Sequence, residues 1–194
     1  MQFEKGHLYH IYNQGNNRRR IFFSRQNYYY FVKKLKIYVK PYADVLAWCL
    51  MPNHFHLMVY VKHLELLNSQ QKSRSFNDSI GILLRSYTRA INKQENTSGS
   101  LFRQETKAIC ITCHKGLTPN SVNTIYGKSL NIKHPKSQYP QICFDYIHNN
   151  PYKAGLVITT TDWDYSSAKD YYENRNGSLI NKELALEYVR VSSA

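Results

Sequence analysis

The chain has 194 residues, 42% of them hydrophobic, and sets 26 Lys and Arg against 13 Asp and Glu, for a formal net charge of +13. That length suits one α/β domain with at most an appendage, and no run approaches the roughly 18 apolar residues of a membrane span. Such an excess of cations points to a polyanion, DNA or RNA, and no basic amphipathic stretch argues for a membrane surface instead. The 17 Tyr and 8 Phe are interleaved with those cations, which fits a single strand whose bases stack on rings while its phosphates meet charge. The opening "MQFEKGHLYHIY" has no basic segment followed by an apolar one, so a cytoplasmic protein is expected.

Residues 6–15, "GHLYHIYNQG", are β-rich and end in a turn signal, so they predict a first strand. The basic loop "NNRRRIFFS" follows, and residues 25–39 have helical periodicity with basic outer positions. "ADVLAWCLM" and "HFHLMVYVK" are apolar runs separated by Met51, Pro52 and Asn53, which predicts a pair of central strands. "KHLELLNSQQKSRS" is polar and predicts a loop. Residues 76–94 predict a helix capped by Asn77 or Asp78, with Ile80, Leu83, Leu84, Tyr87 and Ile91 along one side. "LFRQETKAICI" is short and β-like. Residues 110–140 are turn-rich and read as an insertion or mobile loop. "QICFDYIHNN" predicts a helix stopped by Pro151, and a loop, a short helix and an amphipathic helical tail complete the chain.

The order β-α-β-β-α-β-α predicts an α/β sandwich: a ferredoxin-like or RNA-recognition-type antiparallel sheet with helices packed on it. The domain is expected over residues 1–175 and the helical tail over 176–194. Cys110-Ile-Thr-Cys113-His114 matches the short haem-attachment pattern, but haem of that type is attached outside the cytoplasm. A structural zinc needs a second ligand pair, and Cys49 and Cys143 are not spaced to supply it. The four cysteines are therefore expected to be reduced thiols acting as small apolar residues.

"MPNHFHLMVY" carries the chemistry. In a strand, residues i and i+2 share a face, so His54 and His56 project together and can converge on one metal ion while Phe55 points away. Tyr146 and Asn150, four apart on a helix, also share a face. Asn150 offers a carbonyl oxygen to complete a site made by the two histidines, and Tyr146 would lie beside the ion. A phenol with a pKa near about 10 is a poor nucleophile that a metal can assist. Tyr87 is a second candidate by residue type, though the apolar residues around it favour packing; Tyr152 has no ligand four residues on.

Several stretches resemble the HUH single-tyrosine transposases, in particular the REP-associated tyrosine transposase-like branch. They are "YHIYNQGNNRRRIF", "AWCLMPNHFHLMV", "LLRSYTRAIN", "GSLFRQETKA", "YIHNNPYKAGLV" and "DWDYSSAKDY", in the family's order. The resemblance implies metal ligation by His54 and His56, with Asn150 as third ligand and Tyr146 as nucleophile. It implies Mg²⁺ or Mn²⁺, a hairpin of single-stranded DNA as partner, and cutting and rejoining through a 5′-phosphotyrosine with release of a 3′-OH. No Walker-type phosphate loop is present, in keeping with energy-free rejoining. The family includes both dimers with shared sites and monomers, so a homodimer and a monomer are both compatible. A bacterial, nucleoid-associated location follows from the same likeness. The segment before Tyr146 is longer than usual in the family and either displaces the helix bearing Tyr146 or serves as a DNA-contacting loop. Arg18, Arg19, Arg20, Arg85, Arg89 and Arg103 are candidate phosphate contacts. The alternative is a catalytically idle single-strand-binding module on the same fold.

Overall fold

The computed structural model of the chain describes residues 1–67, 71–113, 121–124, 127–130, 138–173 and 175–191. Four strands form the main sheet: β1 (Leu8–Gln14), β2 (Ala43–Met51), β3 (His54–Val61) and β6 (Lys107–Cys110). Their order is β2-β3-β1-β6 and every pairing is antiparallel. With α1 (Arg25–Tyr38) after β1 and α2 (Phe76–Gln94) after β3, this is the expected ferredoxin-like α/β sandwich. β1 and β3 are therefore the central strands.

The period-2 pattern of those strands sorts the core into two halves. On one face Tyr9 and Ile11 of β1 and Phe55, Leu57 and Val59 of β3 meet Phe31 and Leu35 of α1 and Ile80, Leu83, Tyr87 and Ile91 of α2. On the other, Leu8, Met58, Leu46 and Ala47 meet Phe144 and Ile147 of α3 (Tyr139–Lys153). Tyr171 of α4 (Ala168–Tyr172) and Ala185 of α5 (Lys182–Leu186) join that second cluster. β2 shifts register between Val45 and Ala47. The bulge moves its inward set by one residue, so Ala43 and Val45 share a cluster with Trp48 and Leu50.

Several local expectations differ from the structure. The loop at 62–75 contains a short hairpin, β4 (Glu65–Leu67) with β5 (Ser73–Ser75). Its strands are three residues long and largely exposed, too short for an alternating signal. The cap of α2 is Ser75, whose side chain accepts from the Asp78 N–H at 3.1 Å. Neither Asn77 nor Asp78 caps; both lie in the first turn. α3 runs through Pro151 rather than stopping before it. So close to the C-terminus the missing N–H removes a single bond, and the helix closes with Ala154 N–H on the Asn150 carbonyl at 3.0 Å. Among the described residues, the tail contributes one helix, the five residues of α5.

Cys110 and Cys113 are not independent apolar residues: they are joined as a disulfide, Cα atoms 5.6 Å apart. The two-residue spacing and the turn after β6 bring the sulfurs together. Cys49 and Cys143 are free thiols. His114 and most of the expected insertion at 110–140 lie outside the described residues; within it, β7 (Ser121–Thr124) pairs with β8 (Gly127–Leu130). Among the described residues no helix is long and apolar enough to cross a membrane.

Candidate active site

β3 begins at His54 because Pro52 and Asn53 turn the chain from β2. That turn is held from outside by the 15–22 loop. Gly15 N–H donates to the Asn53 carbonyl at 2.8 Å, and the N–H groups of Ile21 and Phe22 both donate to the Pro52 carbonyl. Gly15 cannot be replaced cheaply, since a Cβ there would sit 2.1 Å from the Arg19 carbonyl oxygen.

His54 and His56 face α3, their ring centroids 5.0 Å apart. Phe55 between them is buried in the opposite cluster. α3 lies across β2 and β3 and buries Pro140, Phe144, Ile147, His148 and Pro151, a stripe at helical spacing. That stripe fixes the helix rotation and turns Tyr146 toward the histidines. The Tyr146 ring stands edge-on to His56 at 5.2 Å between centroids and to His10 at 5.8 Å. Tyr146 remains 42% exposed.

A buried link sets the depth of α3. His148 Nε2 shares a 2.7 Å hydrogen bond with Ser167 Oγ, which in turn accepts from the Trp48 N–H at 2.9 Å. Burial pushes the His148 pKa down to about 3, so the ring is neutral.

The hydrogen bonds around the paired histidines select their ligating atoms. His54 Nδ1 is 2.6 Å from Asn53 Oδ1, an acceptor, so Nδ1 carries the proton and Nε2 is left with a lone pair. Asn53 is itself oriented, its Nδ2 donating to the Arg18 carbonyl at 3.2 Å. His56 Nδ1 is 2.9 Å from His10 Nε2. His56 Nε2 is buried with no hydrogen-bond partner, which is costly for a polar atom unless something binds there. Ligation through that nitrogen requires His56 Nδ1–H to donate to His10. Burial lowers the pKa of all three rings, to about 4 for His10 and well below 6.5 for His56, where His10 and His54 add repulsion. Neutral imidazoles are what a metal takes.

Asn150 is the last member. Its Nδ2 donates to the Tyr146 carbonyl one turn back at 2.8 Å. Its side chain also reaches the His54 ring and the Tyr146 hydroxyl, raising the pKa of the first and lowering that of the second. Burial is the larger influence on Tyr146 and leaves its pKa above 10. The His54 and His56 rings and the Asn150 amide thus lie near a phenol that needs help to ionise. The amide oxygen suits Mg²⁺ or Mn²⁺, and the imidazoles favour Mn²⁺ of the two.

His10, Asn53 and Tyr12 were not among the residues singled out from the sequence. His10 and Tyr12 share the inward face of β1, and Tyr12 is paired with His56, their ring centroids 5.7 Å apart. The signal lay in the strand order: once β1 is set beside β3, its even-numbered residues fall beside the histidines. Tyr87 is fully buried, its hydroxyl donating to the Ile21 carbonyl at 2.9 Å, so it packs and cannot meet a substrate.

The arginines divide. Arg18, Arg19 and Arg20 lie on the loop that holds the Pro52–Asn53 turn, and the Arg103 N–H donates to the carbonyl of Gln14, the residue paired with His54. Arg19 is partly tied down, Nη2 donating to the Ser100 carbonyl at 2.7 Å. Arg85 and Arg89 are exposed on α2, across the sheet from His54 and His56.

No family model matches the chain, and no curated protein does. Among solved structures it is similar to a REP-associated tyrosine transposase bound to a REP hairpin, with a TM-score of 0.56 and 16% identity. The likeness covers 93% of this chain and 92% of the other. It is a likeness of fold.

Proposed function

We propose that the protein is a metal-dependent strand transferase acting on hairpin single-stranded DNA, with Tyr146 as nucleophile. The observation that carries this reading is the unpartnered, buried Nε2 of His56, whose ring stands edge-on to that of Tyr146. The fold shared with the hairpin-bound transposase, and the net charge of +13, support a DNA partner.

His54, His56 and Asn150 would hold Mg²⁺ or Mn²⁺, which supplies Lewis-acid polarisation of the scissile phosphate. The chain's own residues do the rest. Asn53 takes the His54 Nδ1–H and His10 would take the His56 Nδ1–H, which leaves both Nε2 atoms for the ion. Asn150 hydrogen-bonds the Tyr146 hydroxyl and favours its ionised form. Tyr146 Oη then attacks phosphorus in line with the departing 3′ oxygen. The phenol proton leaves to solvent, the P–O3′ bond breaks, and the 3′ oxygen takes up a proton. The products are a 5′-phosphotyrosine and a free 3′-OH, and a 3′-OH attacking in reverse rejoins the strand. Because the phosphodiester energy is conserved in the tyrosyl ester, no nucleotide cofactor is needed.

The test is a denaturing gel of the protein with labelled hairpin DNA taken from beside its own gene, with and without Mn²⁺. A metal-dependent protein-linked band that disappears in Tyr146→Phe, with hairpin binding retained, is the expected result. Salt-sensitive binding without a band under any metal, across a panel of hairpins, would instead identify an idle binding module.

A further inference from the structure

Three soft-donor side chains converge at the other end of β1, and no step above uses them. His7 precedes β1, Cys110 ends β6, and Cys113 follows; a ring nitrogen and the two sulfurs lie within 4.8 Å of one another. The antiparallel pairing that sets Tyr9 opposite Cys110 carries the C-x-x-C turn back to His7. Both cysteines pack on the α1/α2 side of the sheet, so the cluster is separated by the sheet from His54 and His56.

We propose that in the reduced protein His7, Cys110 and Cys113 bind one zinc ion. Thiolate and imidazole are the donors zinc prefers, and two cysteines three apart with a histidine from a neighbouring segment are a spacing it uses. The surroundings favour thiolates. Cys113 N–H donates to Cys110 Sγ at 3.0 Å, and the Tyr9 hydroxyl lies 3.7 Å from Cys113 Sγ. Hydrogen bonds to a charged acceptor are the strong ones. His7 is oriented as a ligand would be, with Thr112 Oγ1 3.2 Å from Nδ1 and Glu4 Oε2 3.7 Å from Nε2. If Nε2 turns to the ion, Thr112 Oγ1 is in place to take the Nδ1–H. Thr112 is itself held, accepting from the Leu8 N–H at 3.0 Å. A disulfide alone would have no use for the histidine.

The disulfide and the zinc site are alternative states of the same two sulfurs. A dithiol reductant exchanges with the Cys110–Cys113 bond, is itself oxidised to a disulfide, and leaves two thiols. Zinc then displaces one proton from each sulfur and takes the lone pair of neutral His7, with a water in the fourth position. With three protein ligands this is an open site rather than the closed two-pair kind of a structural zinc, and the ion would join the end of the edge strand β6 to the start of β1.

The test uses the full chain, reduced under anaerobic conditions, stripped with a chelator and titrated with Co²⁺. The expected result is a sulfur-to-cobalt charge-transfer absorption that saturates at one ion per chain and is displaced by Zn²⁺. It should vanish in Cys113→Ser and after oxidation of the thiols. It should persist in His54→Ala and His56→Ala, whose site offers no sulfur. His7→Ala should weaken zinc competition, and Thr112→Val, which keeps all three ligands, should weaken it by about 10-fold or more. Absence of the absorption in fully reduced protein would overturn the proposal. So would zinc competition unchanged in both His7→Ala and Thr112→Val. None of these readouts depends on DNA cleavage.

Discussion

Both faces of the central sheet hold apolar clusters, but the face toward α3 also carries a cluster of histidines from the same strands. Toward α1 and α2 the sheet presents Tyr9, Ile11, Phe55, Leu57 and Val59, closed over by Phe31 and Tyr87. Toward α3 it presents His10, Tyr12, His54 and His56, with their hydrogen-bonding atoms turned to one another or left open. Alternation along a strand lets one face hold the fold together while its neighbour, one residue away, is free for chemistry. The helix on the second face is anchored by Phe144, Ile147 and His148, so the exposed Tyr146 is positioned by residues that face away from it.

Adjacent residues of β3 should therefore fail differently, and this is the largest expected contrast. His56→Ala should reduce Mn²⁺-dependent adduct formation to background and, although the ring is buried and bonded to His10, cost less stability than Phe55→Ala. Phe55→Ala removes a ring that is 2% exposed and should cost about 3–5 kcal/mol of stability. Equal loss of stability in both variants would break the division between faces.

The pH dependence of stability should belong to the α3 face. His148 and His10 are held at about 3 and about 4, and His54 and His56 are also lowered. The unfolded chain takes up these protons near pH 6.5 and the folded chain only well below it. Their contribution is thus complete above about pH 6.5 and is lost as pH falls toward 4, with a slope of up to about 1.4 kcal/mol per pH unit for each histidine. Urea midpoints from pH 8 to pH 4 measure it, and His148→Phe should flatten the acid limb. A midpoint that does not move across that range would contradict the assignment of buried neutral rings.

A smaller effect is expected one shell out. His10→Ala keeps every proposed ligand but frees the His56 ring, and the Mn²⁺ concentration for half-maximal adduct should rise about 10–100-fold. Smallest is Ser75→Ala, which removes the α2 cap on the far side and should cost about 1 kcal/mol with no change in that concentration.

Much of this division was legible in the sequence. β2, β3 and α2 are legible to within a residue of their ends: β2 and β3 are long apolar runs unbroken by glycine, and α2 keeps its helical period through Gly81. The shared face of His54 and His56, and that of Tyr146 and Asn150, follow from the periods of a strand and a helix. What escaped depended on tertiary neighbours. His10 reads as one more β1 residue until strand order sets it against His56. Asn53 reads as a turn residue until its side chain is seen on His54. His7 and the Cys110–Cys113 pair are far apart in the chain and meet only because β6 returns along β1. Pro151 read as a stop because proline breaks helix interiors, whereas here it sits in a final turn with little left to break.

The most direct test of the central assignment is to digest the covalent protein–DNA adduct and identify the modified peptide by mass spectrometry. Tyr12 and Tyr146 both stand beside His56, so the result separates real alternatives. The geometry predicts the nucleotide on Tyr146, in the peptide containing Ile147, His148 and Asn150. A nucleotide on Tyr12, or on any other tyrosine, would contradict it.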